Sequence, residues 1–158
     1  MAQAKTNAQR MLEKEKIPYL AHTYETEDGH IDGISVAHKM GIDPAVVFKT
    51  LVTRGASRGI YVFVVPVAFE LNLKAAARAV GEKSVEMIAV KEITPLTGYI
   101  RGGCSPIGMK KHYPTVVDES AHLLERMIVS AGRIGDQIEL APGDLQKATG
   151  CSFAAVAE

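Results

Sequence analysis

Two parts of the chain carry residue types that could do chemistry: a lysine set in an apolar run, and a glycine-rich stretch well downstream of it. Lys49 lies in Val46-Val47-Phe48-Lys49-Thr50-Leu51-Val52. One reading is a lysine on the solvent face of a strand, or one that snorkels out of it. The other is an ammonium at the edge of a pocket, where low dielectric strengthens its pull on a carbonyl or phosphate. The second part, Gly98-Tyr99-Ile100-Arg101-Gly102-Gly103-Cys104-Ser105-Pro106-Ile107-Gly108, crowds four glycines and a proline into eleven residues. Such a stretch is either a connector or a turn whose amides cradle an anion or a developing oxyanion. Taken alone, it reads as a connector first.

Competing chemistries find little support. The histidines (His22, His30, His38, His112, His122) show no HxxxH, HExxH or Cys/His spacing, so no metal site is expected. There is no G-x-S-x-G elbow. Ser105 follows Gly103 by two positions, but Pro106 comes next and has no N–H to offer an oxyanion. Cys104 has no histidine beside it and reads as a small packing residue. Gly98-x-x-x-Gly102 lacks the Gly-Lys-Ser/Thr that completes a phosphate-binding loop. No cofactor is implied.

Composition narrows the class. With 158 residues and 47% apolar side chains, the chain has enough material for one core, and a single domain over 1–158 is expected. Eighteen basic and eighteen acidic residues cancel, so attraction to a polyanion must come from a local patch. Arg101 with Lys110-Lys111-His112 brackets the glycine stretch and could form one. Apolar runs are too short to span a membrane, and the opening Met1-Ala2-Gln3-Ala4-Lys5 lacks the apolar core of a leader. Two distant cysteines fit a reducing cytoplasm.

The elements that must position these residues can be read in order. Thr6-x-x-Gln9 is a capping box for a helix over 7–16, stopped by Pro18. A strand over 19–24 leads into a polar, mobile loop over 25–33. Ser35 caps a helix to Met40, and Asp43-Pro44 starts a further helical turn. Segments 46–53 and 59–67 form a β-hairpin, with Val62 to Val65 apolar on both faces like a central strand. Asn72 and Gly81 bound a helix. A strand over 84–89, a turn or short helix over 91–97 interrupted by Pro95, and a strand over 115–117 follow. Asp118 caps a short helix, 127–130 and 137–140 pair as a hairpin, Asp144 caps a last helix, and an Ala-rich tail closes the chain. Strands in hairpins with irregularly placed helices predict an α+β fold on a mixed, mainly antiparallel, partly barrel-like sheet.

Several segments then fall into one familiar order: Val47-Phe48-Lys49-Thr50-Leu51, Val65-Pro66-Val67-Ala68, Leu71-x-Leu73-Lys74, Val85-Glu86-Met87, Thr97-Gly98-Tyr99-x-x-Gly102-Gly103-x-Ser105-Pro106-x-Gly108-x-Lys110-Lys111 and Ile138-Glu139-Leu140. From the first helix to Asp144-Leu145, the chain resembles the YbaK-type bacterial Cys-tRNA(Pro) deacylases, relatives of the editing domain inserted in prolyl-tRNA synthetases. The resemblance implies a compact domain acting in trans on misacylated tRNA, without metal or cofactor, with prolyl-tRNA synthetase a possible partner. It places Lys49 at the family's required lysine, Gly102 and Gly103 at the loop bordering the aminoacyl end, and Tyr24 at the pocket lining. Ser105 and Pro106 are carried over to substrate binding, with fixing of the turn as their expected means. Asp136 is carried over too, although it stands one position earlier than the acid of some relatives. The loop over 25–33 departs from the family pattern.

The resemblance further implies that the substrate's own cysteinyl thiol attacks its ester carbonyl, which agrees with the missing nucleophile. Amides of the Gly102-Gly103 turn would donate to the oxyanion. Lys49 would anchor the ribose or phosphate, or hold the amino acid in its pocket. Alternatives stay open: water-driven hydrolysis of another mischarged amino acid such as Ala-tRNA(Pro), a non-catalytic tRNA- or synthetase-binding module, and a nucleotide-binding domain using the glycine turn.

Overall fold

A computed structural model describes residues 4–158. Met1 to Gln3, read above for the lack of a leader core, lie outside the described residues. Thr6 and Gln9 exchange side-chain and backbone hydrogen bonds of 3.1 and 2.9 Å at the start of α1 (Asn7–Lys14), the capping box read from the sequence. Ala8 and Leu12 of α1 are buried in the main core.

Two sheets follow from the strand patterns. The larger has the order β4 (Val85–Met87), β2 (Phe48–Gly55), β3 (Ile60–Pro66), β5 (Thr115–Asp118), β8 (Ser152–Ala154). It is mixed: β4–β2–β3 is antiparallel, while β3–β5 and β5–β8 are parallel. The smaller sheet is antiparallel, ordered β1 (Leu20–Thr23), β7 (Asp136–Leu140), β6 (Met127–Arg133). The sheets touch through a bridge between Val47 and Ile128 and do not close, so the barrel-like element of the expectation is reduced to that one contact.

The core lies between the sheets. Phe48, Val64 and Val117 of the larger sheet meet Met127, Val129, Ile138 and Leu140 of the smaller. Helices α1 and α5 (Pro142–Thr149) contribute Leu12, Leu145 and Ala148 to the same cluster. On the other face of the larger sheet, Phe63, Val65 and Val116 pack on Ala76 and Ala77 of α3 (Leu73–Val80) and on Val156 of the tail. Val62 to Val65 are fully buried because both faces are covered. A third cluster joins Ala37 of α2 (Gly33–Met40) to Val47 and Ile128 at the bridge between the sheets.

Several local readings need correction. Asp32, not Ser35, caps α2, its carboxylate accepting from the Ser35 amide at 3.1 Å. Helix α4 (Val90–Thr97) is continuous, with Pro95 inside it. Helix α5 starts at Pro142, so Asp144 sits in its first turn and does not cap it. The Ala-rich tail joins the larger sheet. It supplies β8, and its last residues bridge to the segment before α3, with Asn72 N–H donating to Val156 O at 2.7 Å. Asp118 does more than start the 3₁₀ turn over Glu119–Leu123. Its Oδ1 also accepts from the amides of Val156 and Ala157 at 3.0 Å each.

Candidate active site

Strand β2 is paired with β3 along Phe48 to Arg54, but β4 joins its other edge only from Thr53. At the opposite end, Val47 bridges to β6. Residues 48–51 therefore have no ladder partner on that edge among the described residues, and the two sheets diverge there. The gap is a cavity of about 790 Å³. Its remaining walls come from the N-terminus of α2 with the loop before it, from β4 and α4, from the glycine turn, and from Ser130 and Gln137 of the smaller sheet.

Lys49 enters this cavity half-buried, its side chain 28% exposed. Its Nζ lies 3.6 Å from Glu70 Oε2, on a carboxylate that is 84% exposed. An ion pair with so solvated a partner is weak and readily exchanged for another anion. Thr50, the next residue, also lines the cavity, and its Oγ1 is buried without a hydrogen-bond partner. Gln137 is 7% exposed, and its Oε1 is likewise buried and unpartnered. Buried polar atoms are nearly always satisfied, so these two unpartnered oxygens, closed off behind the cavity wall, stand out.

The glycine stretch separates into two roles. Ile100 to Gly103 form a β-turn closed by Gly103 N–H donating to Ile100 O at 3.0 Å, with Gly102 at φ +85°. A positive φ at the third position is the type II geometry and explains that glycine. Gly102 reaches the cavity, and its amide has no partner among the described residues. Gly103 does not reach it. Its amide is committed to Ile100, and a Cβ there would stand 2.9 Å from the Ile134 backbone nitrogen. Gly103 is thus glycine because the turn lies against the β6–β7 connection, and its amide is not available as an oxyanion donor.

Tyr99 is the pin of this loop. Its hydroxyl donates to Ile107 O at 2.6 Å, and a Cβ on Gly132 would fall 2.6 Å from its ring. Burial pushes the Tyr99 hydroxyl up to about 12, so it remains a donor at neutral pH. Ser105 and Pro106 are buried away from the cavity, and Ser105 Oγ accepts from the Ile107 amide at 3.2 Å. They shape the turn without lining the cavity. Cys104 does line it, but burial raises its thiol to about 11, leaving it protonated and a poor nucleophile at neutral pH.

Of the remaining expected residues, Tyr24 lines the cavity, its amide donating to Gly135 O at 3.0 Å. Asp136 does not. Its Oδ2 faces Arg133 at 3.2 Å, and strand alternation sends its neighbour Gln137 into the cavity instead. Lys49, Tyr24 and Gly102 are thus brought together, while Gly103, Ser105, Pro106 and Asp136 are not. The sequence reading missed Thr50, Gln137, Ser130 and Asp32. The only available signal for Gln137 was its alternation with the core residues Ile138 and Leu140. Asp32 is held below the usual carboxylate range by the Ser35 hydroxyl and amide, so it brings a negative charge to the cavity wall. Arg101 adds a positive charge at the turn. Among the described residues, no three His, Cys, Asp or Glu side chains are grouped to hold a metal ion, and no helix is long and apolar enough to cross a membrane.

Residues 32–148 match the family described as the aminoacyl-tRNA editing domain. The chain is 48% identical over 154 residues, 98% of its own length and 94% of the relative's, to a protein of Enterococcus faecalis (strain ATCC 700802 / V583) named "Putative Cys-tRNA(Pro)/Cys-tRNA(Cys) deacylase EbsC". It is similar in structure to "hypothetical protein APE2540", with a TM-score of 0.88 at 23% identity, covering 97% of this chain and 100% of the other. A second solved structure, "a putative trans-editing enzyme for prolyl tRNA synthetase", has a TM-score of 0.84 at 23% identity over 99% of each chain. At these identities the two structures bear on the fold alone.

Proposed function

Because the chain belongs to the aminoacyl-tRNA editing domain family, we propose that it hydrolyses the ester of misacylated tRNA in trans, with Cys-tRNA(Pro) its preferred substrate. The observation that carries this reading is the cavity itself: a half-buried ammonium on a weak counter-ion, an open strand edge and two unpartnered oxygens behind its wall, with the Cys104 thiol held protonated by burial. Its volume lies within the range of about 300–1,000 Å³ usual for small-molecule pockets, room for an aminoacyl group and its ribose.

In this reading the 3′ end enters along the open edge of β2. Lys49 exchanges Glu70 for the substrate's anionic or carbonyl end, and the Gly102 amide faces the ester oxygen as it gains charge. Thr50 and Gln137, whose unpartnered oxygens lie just behind the wall, turn towards the cavity to accept from the α-amino group. The cysteinyl sulfur attacks the ester carbonyl, forming a C–S bond as the C–O bond to the ribose breaks. The thiol proton ends on the ribose hydroxyl, and water then opens the thiolactone to free cysteine. The protein supplies orientation and charge.

The test compares Cys-, Ser- and Ala-tRNA(Pro). Cys-tRNA(Pro) should be hydrolysed far faster with protein than without, and exchanging the thiol for the hydroxyl of serine should abolish the gain. Equal turnover of the serine ester would exclude thiol attack and favour water as nucleophile. Tight, salt-sensitive tRNA binding with no hydrolysis of any ester would favour a non-catalytic binding module. Zero net charge fits weak intrinsic affinity for tRNA, with prolyl-tRNA synthetase holding the substrate in the cytoplasm.

The orphaned oxygens make a separate prediction. Gln137→Leu removes a buried, unpartnered acceptor, so the free protein should keep its stability or gain about 1 kcal/mol, while kcat/KM falls about tenfold. Chemical denaturation and deacylation kinetics on the same preparation check both halves. A variant that loses stability and keeps its activity would make Gln137 a packing residue.

A further inference from the structure

Lys39 has no place in the chemistry above, yet it is among the most heavily bonded side chains of the molecule. It lies in the last turn of α2, where a lysine ordinarily points to water and complements the helix dipole. Helical side chains lean towards the N-terminus, and this one reaches back to the loop that precedes its own helix. Its Nζ donates to Glu25 O at 2.7 Å, to Asp28 Oδ1 at 2.7 Å and to His30 O at 2.9 Å. An ammonium has three donors, and all three are spent on one loop. The side chain is accordingly only 19% exposed.

That loop is a wall of the cavity. Tyr24, Gly29, Ile31, Asp32 and Gly33 all line it. Ile31 also lies against the glycine turn, with its Cδ1 3.3 Å from where a Cβ on Gly102 would be. Other bonds within the loop are local: Gly29 N–H to Thr26 O, Ile31 N–H to Gly29 O, and His30 N–H to Asp28 Oδ1. Tyr24 is tied to Gly135 at one end and Asp32 caps α2 at the other. Between those ends, Lys39 makes three hydrogen bonds that join the loop to the helix behind it. The polar composition of 25–33 suggests mobility, and the lysine nine residues beyond His30 supplies what that composition lacks.

We propose that Lys39 is a positioning residue whose three-way clamp on Glu25, Asp28 and His30 sets the width of the cavity and thereby which aminoacyl group it accepts. The clamp touches no substrate. It acts by holding Ile31 against Gly102, so releasing it widens the space in which the amino acid sits. A hydrophobic pocket discriminates by shape only while its walls cannot give way. The selectivity part of this proposal rests on the deacylase reading, and the clamp itself does not.

The test uses the full chain with Lys39→Met, which keeps the apolar stem and removes the donors. Asp28→Asn, which weakens one arm, and Lys39→Arg, which keeps the charge and several donors, accompany it. Hydrogen exchange followed by mass spectrometry should show the amides of residues 25–31 exchanging about tenfold faster in Lys39→Met, with β2 and β3 unchanged. Asp28→Asn should be intermediate and Lys39→Arg close to wild type. In kinetics, the preference for Cys-tRNA(Pro) over correctly charged Pro-tRNA(Pro) should fall about tenfold, chiefly through KM for the bulkier ester. Unchanged exchange in the loop would overturn the clamp. Faster exchange with an unchanged preference would overturn the selectivity role. If the wild type hydrolyses no ester, the function above fails, and the exchange result still decides whether the clamp exists.

Discussion

Lys49→Met is expected to lower kcat/KM for Cys-tRNA(Pro) about 100-fold, the scale seen when one preorganised electrostatic contact to a reacting group is deleted. The same change should leave the unfolding midpoint almost unmoved. The stability contribution of Lys49 comes from its pair with Glu70, and a carboxylate 84% exposed at 3.6 Å is worth no more than about 1 kcal/mol. Methionine keeps the unbranched stem that passes the cavity wall, so packing is retained. Activity and stability therefore separate at this position. How kcat/KM is lost distinguishes the two roles open to the ammonium. A rise in KM at constant kcat means an anchor for the terminal phosphate or ribose, whereas a fall in kcat means polarisation of the ester carbonyl. Lys49→Arg should restore an anchor better than a polariser, because the guanidinium is planar and cannot place a point charge at the same spot. Wild-type turnover in Lys49→Met would remove this cavity from the reaction.

Asp118→Ala is the substitution expected to cost most in stability, about 3 kcal/mol. The Asp118 side chain accepts from the amides of Ser120, Val156 and Ala157, at 3.2, 3.0 and 3.0 Å, and the residue is 7% exposed. Alanine leaves those donors without an acceptor and removes one of the ties that hold the tail. Val156, fully buried against α3 and β5, then keeps only its carbonyl bond from Asn72. For a chain of this length the thermal midpoint should fall by about 6–12 °C. Asp118→Asn keeps an acceptor oxygen and should cost less than half as much.

The pH dependence of this contribution has a definite sign. Burial opposes ionisation of Asp118, but hydrogen bonds from Ser120 and the amides of Val156 and Ala157 outweigh it and hold the carboxyl below its ordinary value. A lowered native pKa means the unfolded chain takes up the proton first on acidification. The stabilisation is complete above the unfolded value of about 4 and is lost as pH falls through the native one. The gap between wild type and Asp118→Asn should thus be widest near neutrality and close in acid. Denaturation series from pH 7 to pH 3 would show it, and a gap that widens in acid would contradict the assignment.

Much of this molecule is legible in local sequence. Helix α3 runs from an Asn72 cap to a left-handed Gly81, signals set by a few neighbouring residues. Strands β2 and β3 follow from their β-branched and aromatic content, and the apolar faces of Val62 to Val65 require cover on both sides. Lys49 stood out because a charge inside such a run needs a reason. The family pattern added the class of substrate. Strand β8 was missed because Ser152-Phe153-Ala154 has no β signal of its own and pairs only because β5 offers a parallel edge.

The sequence by itself therefore determined the α+β class and most of the elements, and it singled out Lys49 as a candidate, because caps, alternation and glycine stops act over a few residues. Only the tertiary structure decided which neighbours share the cavity. Gly102 and Gly103 are the same residue type side by side, yet one opens on the cavity while the other's amide closes the turn. Asp136 and Gln137 differ by one step along β7, and the pleat sends the acid to Arg133 and the amide to the cavity. Which side of a strand is covered depends on sheets and helices far away in the chain. No local pattern encodes that β6 touches Val47 just before β2, that β4 joins β2 from Thr53, or that a cavity is left between them.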